Sequence, residues 1–244
     1  MKLTKEQFIS KTNEMATNIG LELSNNQLEQ LYLYKEMLLE WNNKINLTAI
    51  TDDEEIIAKH IIDSLQVVKY IKLNQKIIDV GTGAGLPGII IAIYFAGNVN
   101  VTLFDALNKR ILFLKDVISK LQLKNIYAIH GRAEEAAREN EFRENYDVVV
   151  SRAVARLNVL MELTVPFVRK KGFCLYMKAE KTYEELAEAK NAIKKLDLNH
   201  ISTEEYMINL AEEQISHTIL IFEKLESTKK EYPRQYSKLK KQPL

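Results

Sequence analysis

The chain of 244 residues lacks the means to tie itself together covalently or through metal. It has one cysteine, Cys174, so an internal disulfide is excluded, and the apolar run around it makes burial as a small hydrophobe its expected role. No apolar stretch approaches the ~18 residues of a membrane span. The N-terminus, with Lys2, Lys5, Glu6 and Lys11, has no signal-peptide core. These absences predict a cytoplasmic protein with no membrane partner. His60 and Asp63 stand three apart on an expected helix, but no further ligand-type residue stands at metal spacing, so no metal site is predicted. A local hydrogen bond is the plainer reading of that pair. Surplus charge is also scarce, at +1 overall, yet it is unevenly placed. From Lys224 to Leu244 there are seven Lys/Arg and two Glu, a tail of +5 on a body of −4. A basic tail on a slightly acidic body fits an arm for a polyanion, or else a solvated end.

Glycine is scarce too, and its distribution is informative. Of eight glycines, four fall between Gly81 and Gly88. Ile77 to Val80 reads as a buried strand, Pro87 suits a first helical turn, and Ile89 to Ile93 continue as an apolar helix. A strand, a glycine loop and a helix in that order let backbone approach a ligand closely. Gly83-x-Gly85-x-x-Gly88 matches the dinucleotide fingerprint. Two acids qualify it. Asp79 stands before the first glycine, where a dinucleotide site has an apolar residue. Asp105 ends the next strand, where a carboxylate can accept ribose hydroxyls. The set resembles S-adenosylmethionine sites more than NAD sites. A tight loop with no ligand remains the plain alternative, made less attractive by the clustering of the glycines.

The remaining pattern gives helices over 4–18 and 24–42, the second opened by a Ser24/Gln27 capping box, and a helix from a Thr51/Glu54 capping box to about Tyr70. Tyr32 and Tyr34 could stack on bases, but packing is their commoner use. Strands follow at 76–80, 99–105, 125–130, 146–151 and 172–178. They alternate with helices at 87–96, 108–121, 133–141, 157–168 and 182–195. Such alternation predicts a parallel sheet covered on both faces. Two last strands, 198–208 and 216–224, predict an antiparallel hairpin at one edge. The expected division is a helical extension (1–72), an α/β core (73–225) and a basic tail (226–244). The tail is expected to lie away from the glycine loop, so that its removal leaves that site untouched; the alternative is that Tyr232-Pro233 packs back on the sheet, so that truncation destabilises the protein. Loops at the carboxyl ends of the strands should carry the site. They hold Gly81 to Leu86, Asp105-Ala106, Gly131 to Glu134, Ser151 to Arg156, and Lys178-Ala179. Glu134 could read an adenine or merely match a helix dipole. Arg152, at the end of a packed strand, needs a partner.

Four motifs together resemble the bacterial small-subunit ribosomal RNA guanine-N7 methyltransferases, also called glucose-inhibited division protein B. They are Trp41 to Thr48 (WNNKINLT), Lys59 to Ser64 (KHIIDS), Asp79 to Gly88 (DVGTGAGLPG) and Ser151 to Leu157 (SRAVARL). The resemblance implies a class I S-adenosylmethionine-dependent methyltransferase fold, Rossmann-like with a mostly parallel seven-stranded sheet and an N-terminal helical extension. It implies N7-methylation of one guanine in the 530 loop of 16S ribosomal RNA, on the RNA or the small subunit. By position it implies a donor site of Gly81, Gly83, Leu86, Asp105, Ala133, Glu134 and Arg152. Arg152, Arg156 and Lys178 are the candidates for touching substrate. The tail, Tyr232-Pro233-Arg234 through Pro243-Leu244, also looks like the longer members but departs from them at Gln235-Tyr236-Ser237.

The residues agree with that chemistry. The fourth-strand loop, Ser151-Arg152-Ala153-Val154, is not the Asn/Asp-Pro-Pro-aromatic loop of amine methylation. Cys174 lies inside a strand rather than in the Pro-Cys loop of carbon methylation. The Lys/Asp/Lys/Glu set of ribose methylation is incomplete. Guanine N7 offers an in-plane lone pair without a proton, so no general base is required and none is assigned. An arginine or lysine on the base would find O6, since one aimed at N7 would block it. An NAD-dependent oxidoreductase is opposed by Asp79 and by the lack of a catalytic His or Tyr-Lys pair. A non-enzymatic RNA-binding module is opposed by the intact loop and its two acids.

Overall fold

A computed structural model describes residues 2–179, 181–210 and 213–244. Seven strands form one sheet: β1 (Lys76–Val80), β2 (Asn100–Asp105), β3 (Ile126–His130), β4 (Tyr146–Arg152), β5 (Val168–Lys178), β6 (Leu198–Leu210) and β7 (Glu213–Lys224). Their order is β3-β2-β1-β4-β5-β7-β6. The first five are mutually parallel, and β7 runs antiparallel between β5 and β6. In β1, Asp79 stands beside Leu103 of β2 and Val150 of β4. That register brings the ends of the three central strands, and the loops they feed, to one rim.

The central strands are apolar on both faces, as a sheet covered on both sides requires. Ile77, Val148 and Val150 enter one core, and Ile78 and Val149 the other. The first core is closed by α1 (Lys5–Asn18), α2 (Asn25–Ile45), α5 (Gly88–Phe95) and α6 (Asn108–Lys120). The second is closed by α8 (Leu157–Thr164), α9 (Thr182–Glu188) and α10 (Lys190–Lys195), with α7 (Ala133–Ala136) beside them. Ser24 and Gln27 form the expected capping box, and Thr4 with Gln7 forms a second. Tyr34 is wholly buried in α2, while Tyr32 packs edge-on against Phe8, so both serve packing.

Several bounds differ from the expectation. Asp52, not Thr51, caps the third helix, accepting from the backbone N–H groups of Glu54 and Glu55. That helix runs from α3 (Asp53–Glu55) through a π-helical stretch, Ile56–Ile62, into α4 (Asp63–Leu65). The wider winding means that residues three apart no longer share a face. His60 and Asp63 accordingly do not bond each other. The helix expected over 157–168 stops at Thr164, because Pro166 admits only a 3₁₀ turn, and β5 starts at once. The helix expected over 182–195 breaks at Ala189.

The chain after β7 folds back over the second core and closes with α11 (Tyr236–Lys241). Arg138 and Arg143 donate to backbone carbonyls of Thr228, Lys229, Lys230, Glu231, Tyr232 and Pro233. Arg234 forks onto the wholly buried Glu162, at 2.8 and 2.5 Å. Tyr232, Leu239 and Leu244 are buried. The tail is therefore a strap, and its exposed cations are Lys229, Lys230, Lys238, Lys240 and Lys241.

Candidate active site

The glycine loop is bent by Gly81, Gly83 and Gly85, all at positive φ. Gly81 (φ +73) allows no side chain, because a Cβ there would meet Val154 Cγ2 at 2.5 Å. Gly83 (φ +60) is the open point: a Cβ there would find only the Gly81 carbonyl, at 3.9 Å. The loop is braced from below by Asp79, which is wholly buried. Its Oδ2 accepts from Thr82 Oγ1 (2.7 Å) and from the N–H of Gly88 (2.9 Å). Gly88 fits because a Cβ would strike Leu103 at 2.2 Å. Burial pushes the Asp79 carboxyl up to about 6, against the hydrogen bonds from Thr82 and Gly88. Asp79 thus shapes the loop from beneath. From above, Tyr34 donates its hydroxyl to the carbonyl of Ala84 at 2.8 Å, which ties α2 to the loop.

Two cavities of about 220 Å³ each flank Gly81. One is lined by Gly81, Phe104, Asp105, Ala133, Glu134 and, from the tail, Tyr236. The other is lined by Leu47, Thr48, His60, Gly83, Leu86 and Arg152, with Gly81 again on its wall. All seven residues expected at a donor site therefore meet around Gly81. Tyr236 corrects the expectation that the tail lies clear of them. Asp105 is nearly closed off and already engaged. Its Oδ2 accepts from Gly83 N–H (2.9 Å) and Arg110 Nη1 (3.1 Å), and its Oδ1 from Leu107 N–H (2.9 Å). A carboxylate offers about four acceptor sites. For it to take two hydroxyls, Arg110 must yield.

A third cavity, of about 610 Å³, opens beyond the β4 loop. His60, Arg152 and Ala153 line both it and the cavity over Gly83. They mark the junction where a group could pass between the two. Arg152 finds the partner its position demands: Nη1 donates to Asp63 Oδ2 (2.7 Å) and to the Lys59 carbonyl (2.9 Å). Asp63 also accepts from Tyr206 Oη and from His217 Nδ1, each at 2.7 Å. Burial opposes its charge, but the His217 hydrogen bond and the Arg152 charge prevail, and its carboxyl lies below the usual range. One carboxylate so joins α4, the β4 loop and the β6–β7 hairpin. His60 Nε2 lies 2.9 Å from Thr48 Oγ1. Burial, and then the Arg152 charge, lower its ring to about 4, so it is neutral at pH 7.

Lys178 lines the third cavity, but its ammonium is committed to the Ala155 carbonyl and to Glu185 Oε2, both at 2.7 Å. Arg156 lies off the three cavities, bonded to Glu184 (3.0 Å) and Glu188 (2.8 Å) on α9. Leu47, Thr48, Glu185 and His217 also belong to the walls and were not among the expected site residues, while Val154 comes from the β4 loop expected to carry the site. The Trp41 to Thr48 motif held a clue to two of them. Asn42 Oδ1 accepts from the N–H groups of Leu47 (2.6 Å) and Thr48 (2.9 Å) and so turns both toward the loop. A larger cavity, about 730 Å³, opens at the opposite rim around Lys76, Asn100 and Tyr146. It lies at the amino ends of β1, β2 and β4, whereas ligands of such sheets bind at the carboxyl ends. Among the described residues no group of three or more His, Cys, Asp or Glu could hold a metal ion.

A five-stranded parallel sheet extended by an antiparallel hairpin, with a glycine loop after its central strand, defines a class I methyltransferase. Solved structures share this fold. M. jannaschii TYW2 superposes with a TM-score of 0.54 at 20% identity, over 75% of this chain and 80% of that one. The ribosomal protein L11 methylase of Lactobacillus delbrueckii subsp. bulgaricus gives 0.52 at 12% identity, over 69% and 79%. Residues 27–215 match the family model GidB, rRNA small subunit methyltransferase G. The chain is 46% identical to the ribosomal RNA small subunit methyltransferase G of Lachnoclostridium phytofermentans, over 93% of each chain. It is 43% identical to that of Clostridium perfringens, over 98% of this chain and 99% of the relative. The chain belongs to the GidB family of ribosomal RNA small subunit methyltransferases. No helix among the described residues is long and apolar enough to cross a membrane.

Proposed function

We propose that the protein transfers a methyl group from S-adenosylmethionine to N7 of one guanine in the 530 loop of 16S ribosomal RNA, acting in the cytoplasm on the RNA or the small subunit. The observation that carries this reading is the meeting of the two small cavities at Gly81, joined to the 610 Å³ cavity through His60, Arg152 and Ala153. The open cradle at Gly83 fits a ligand passing close to backbone. TYW2, a neighbour in fold, was solved in complex with AdoMet. In this reading Asp105, Ala133 and Glu134 hold the nucleoside half of the donor, and Gly81, Gly83 and Leu86 hold its amino-acid half. Arg152 stands at the junction with the acceptor.

Bound there, S-adenosylmethionine supplies a methyl on a sulfonium, whose electron pair stays on sulfur as N7 attacks. N7 carries no proton, so the side chains need only place the two atoms in line, which can supply much of the rate. His60, neutral at pH 7, adds no charge against a cationic donor. The Arg152 charge is offset by Asp63 at 2.7 Å. Tritiated methyl transfer to small-subunit RNA, followed by mapping of the modified base, tests the assignment. Label on any position other than a guanine N7 overturns it. Gly81→Val should fold yet lose S-adenosylmethionine binding, since its branched side chain meets Val154 at a positive φ. Unchanged affinity in that variant removes the glycine loop from the donor site.

A further inference from the structure

We propose that Glu185 reads the Watson–Crick edge of the target guanine. The inference rests on the function proposed above and names the group that selects the base. Glu185, on α9, lines the 610 Å³ cavity. Its Oε2 accepts from Lys178 Nζ (2.7 Å) and from the N–H of Leu157 (2.8 Å). Lys178 is fixed in turn by the Ala155 carbonyl, also at 2.7 Å. The carboxylate is thereby held by its neighbours, with its side chain 17% exposed. Its other oxygen, Oε1, has no hydrogen-bond partner among the described residues, so an acceptor remains free at the cavity wall.

The chemistry of that acceptor is selective. Guanine presents two adjacent donors on its Watson–Crick edge, N1–H and the N2 amino group. Adenine and cytosine present a ring-nitrogen acceptor there, which a carboxylate repels. Uracil offers one N–H flanked by two carbonyls. The position agrees with the geometry of transfer. N7 must face the junction formed by His60, Arg152 and Ala153, and N1 and N2 lie on the opposite edge of the purine. Glu185 lines the acceptor cavity and not the donor cavities, so it stands on the side that edge would face. Lys178, instead of touching the base, orients the residue that does.

The test uses small ribosomal subunits reconstituted with either guanosine or inosine at the modified position, with methyl transfer measured as kcat/KM. Inosine keeps N7, O6 and N1–H and lacks only the N2 amino group. A hydrogen bond to a charged group supports a fall of about 10- to 100-fold on inosine for the unaltered enzyme. Glu185→Gln keeps an acceptor for Lys178 and Leu157 but turns an amide toward the base. It should be slow on both substrates, with the guanosine-to-inosine ratio reduced to under about threefold and S-adenosylmethionine affinity unchanged. A brace that only supports the fold would lower both rates and leave the ratio intact, which overturns the proposal. So does an unaltered enzyme that accepts inosine within about threefold of guanosine, an arm that needs no variant to fold. Failure of the unaltered enzyme to methylate guanosine subunits at all overturns the function reading itself, and this inference with it.

Discussion

The first 72 residues and the last 19 both wrap the sheet, on opposite faces, and they are held by different physics. The N-terminal helices are held by apolar burial, with Phe8, Leu31, Tyr34, Leu38, Ile57 and Ile61 almost fully enclosed. The tail is held mainly by polar contacts: arginines of the core donating to its backbone carbonyls, and Arg234 on Glu162. Each reaches the donor site with one tyrosine. Tyr34 ties the glycine loop, and Tyr236 lines the cavity on its other side. An apolar anchorage weakens in proportion to the volume removed, whereas a buried ion pair fails when one partner is left alone.

That contrast gives the largest expected effect. Phe8→Ala should cost about 3–5 kcal/mol as a cavity, with no second-site rescue. Arg234→Ala should cost a similar ~3–5 kcal/mol, because Glu162 is left buried and unpaired. Replacing Glu162 and Arg234 together by methionine should recover most of the loss. Melting temperatures of the three variants decide it. A double variant as unstable as Arg234→Ala would show that the strap is not governed by the ion pair.

Next in size is a pH effect beneath the glycine loop, which the two regions approach from opposite faces of the sheet. The raised Asp79 carboxyl contributes stability that is complete below its ordinary 3.8 and is lost as pH rises through about 6. The lowered His60 ring contributes stability present above its ordinary 6.5 and lost as pH falls through about 4. Between pH 7 and 5 the two oppose each other at about 1–2 kcal/mol each. Asp79→Asn keeps an acceptor for Thr82 and Gly88 but removes one side of the balance. Its melting temperature should fall by ~2–5 °C more than that of the unaltered protein over that interval. Parallel curves would mean that the Asp79 proton is not linked to folding.

The same contrast explains what the sequence disclosed. Strand–helix alternation, the Ser24/Gln27 capping box and the clustered glycines are local signals, so the sheet, its hairpin and the donor loop were legible. The Thr51 cap was misplaced by one residue, because Asp52 and Asp53 offer competing caps in the same turn. A tail packed back at Tyr232-Pro233 was one of two readings of the sequence, but the contacts that make it a strap were not legible. Arg138 and Arg143 bond to carbonyls about 90 positions away, and carbonyls are the same at every residue, so no pattern records them. The Asp63 node was hidden for a related reason: its partners lie 89, 143 and 154 residues away. Arg152 was marked because a lone cation at a strand end needs an explanation. His217 and Glu185 sit among ordinary strand and helix residues and gave no such sign.

A smaller effect is expected at the N-terminal tyrosine. Tyr34→Phe removes the hydroxyl that meets the Ala84 carbonyl and leaves that carbonyl buried without its donor. The expected cost is about 1–2 kcal/mol of stability, with a parallel weakening of S-adenosylmethionine binding as the loop loosens. Calorimetric titration of the donor alongside thermal unfolding measures both. A stability loss with affinity unchanged would confine Tyr34 to packing.

The tail tyrosine should show the reverse split, and this is the smallest effect. Tyr236 is 45% exposed, and its neighbours Leu239 and Leu244 carry the burial of the strap. Tyr236→Ala should therefore leave the melting temperature unaltered, as surface changes generally lie within ~0.5 kcal/mol. Its ring nevertheless faces the cavity that also holds Asp105, Ala133 and Glu134. Losing that wall should weaken S-adenosylmethionine by about 3- to 10-fold, corresponding to ~0.6–1.4 kcal/mol. Neutralising the exposed Lys238, Lys240 and Lys241 on the same helix should leave donor affinity alone, because those residues do not line the cavity. The two variants separate wall from charge. A loss of donor affinity in the lysine variant, with Tyr236→Ala unchanged, would mean that the tail acts on the donor through its charge rather than through the ring.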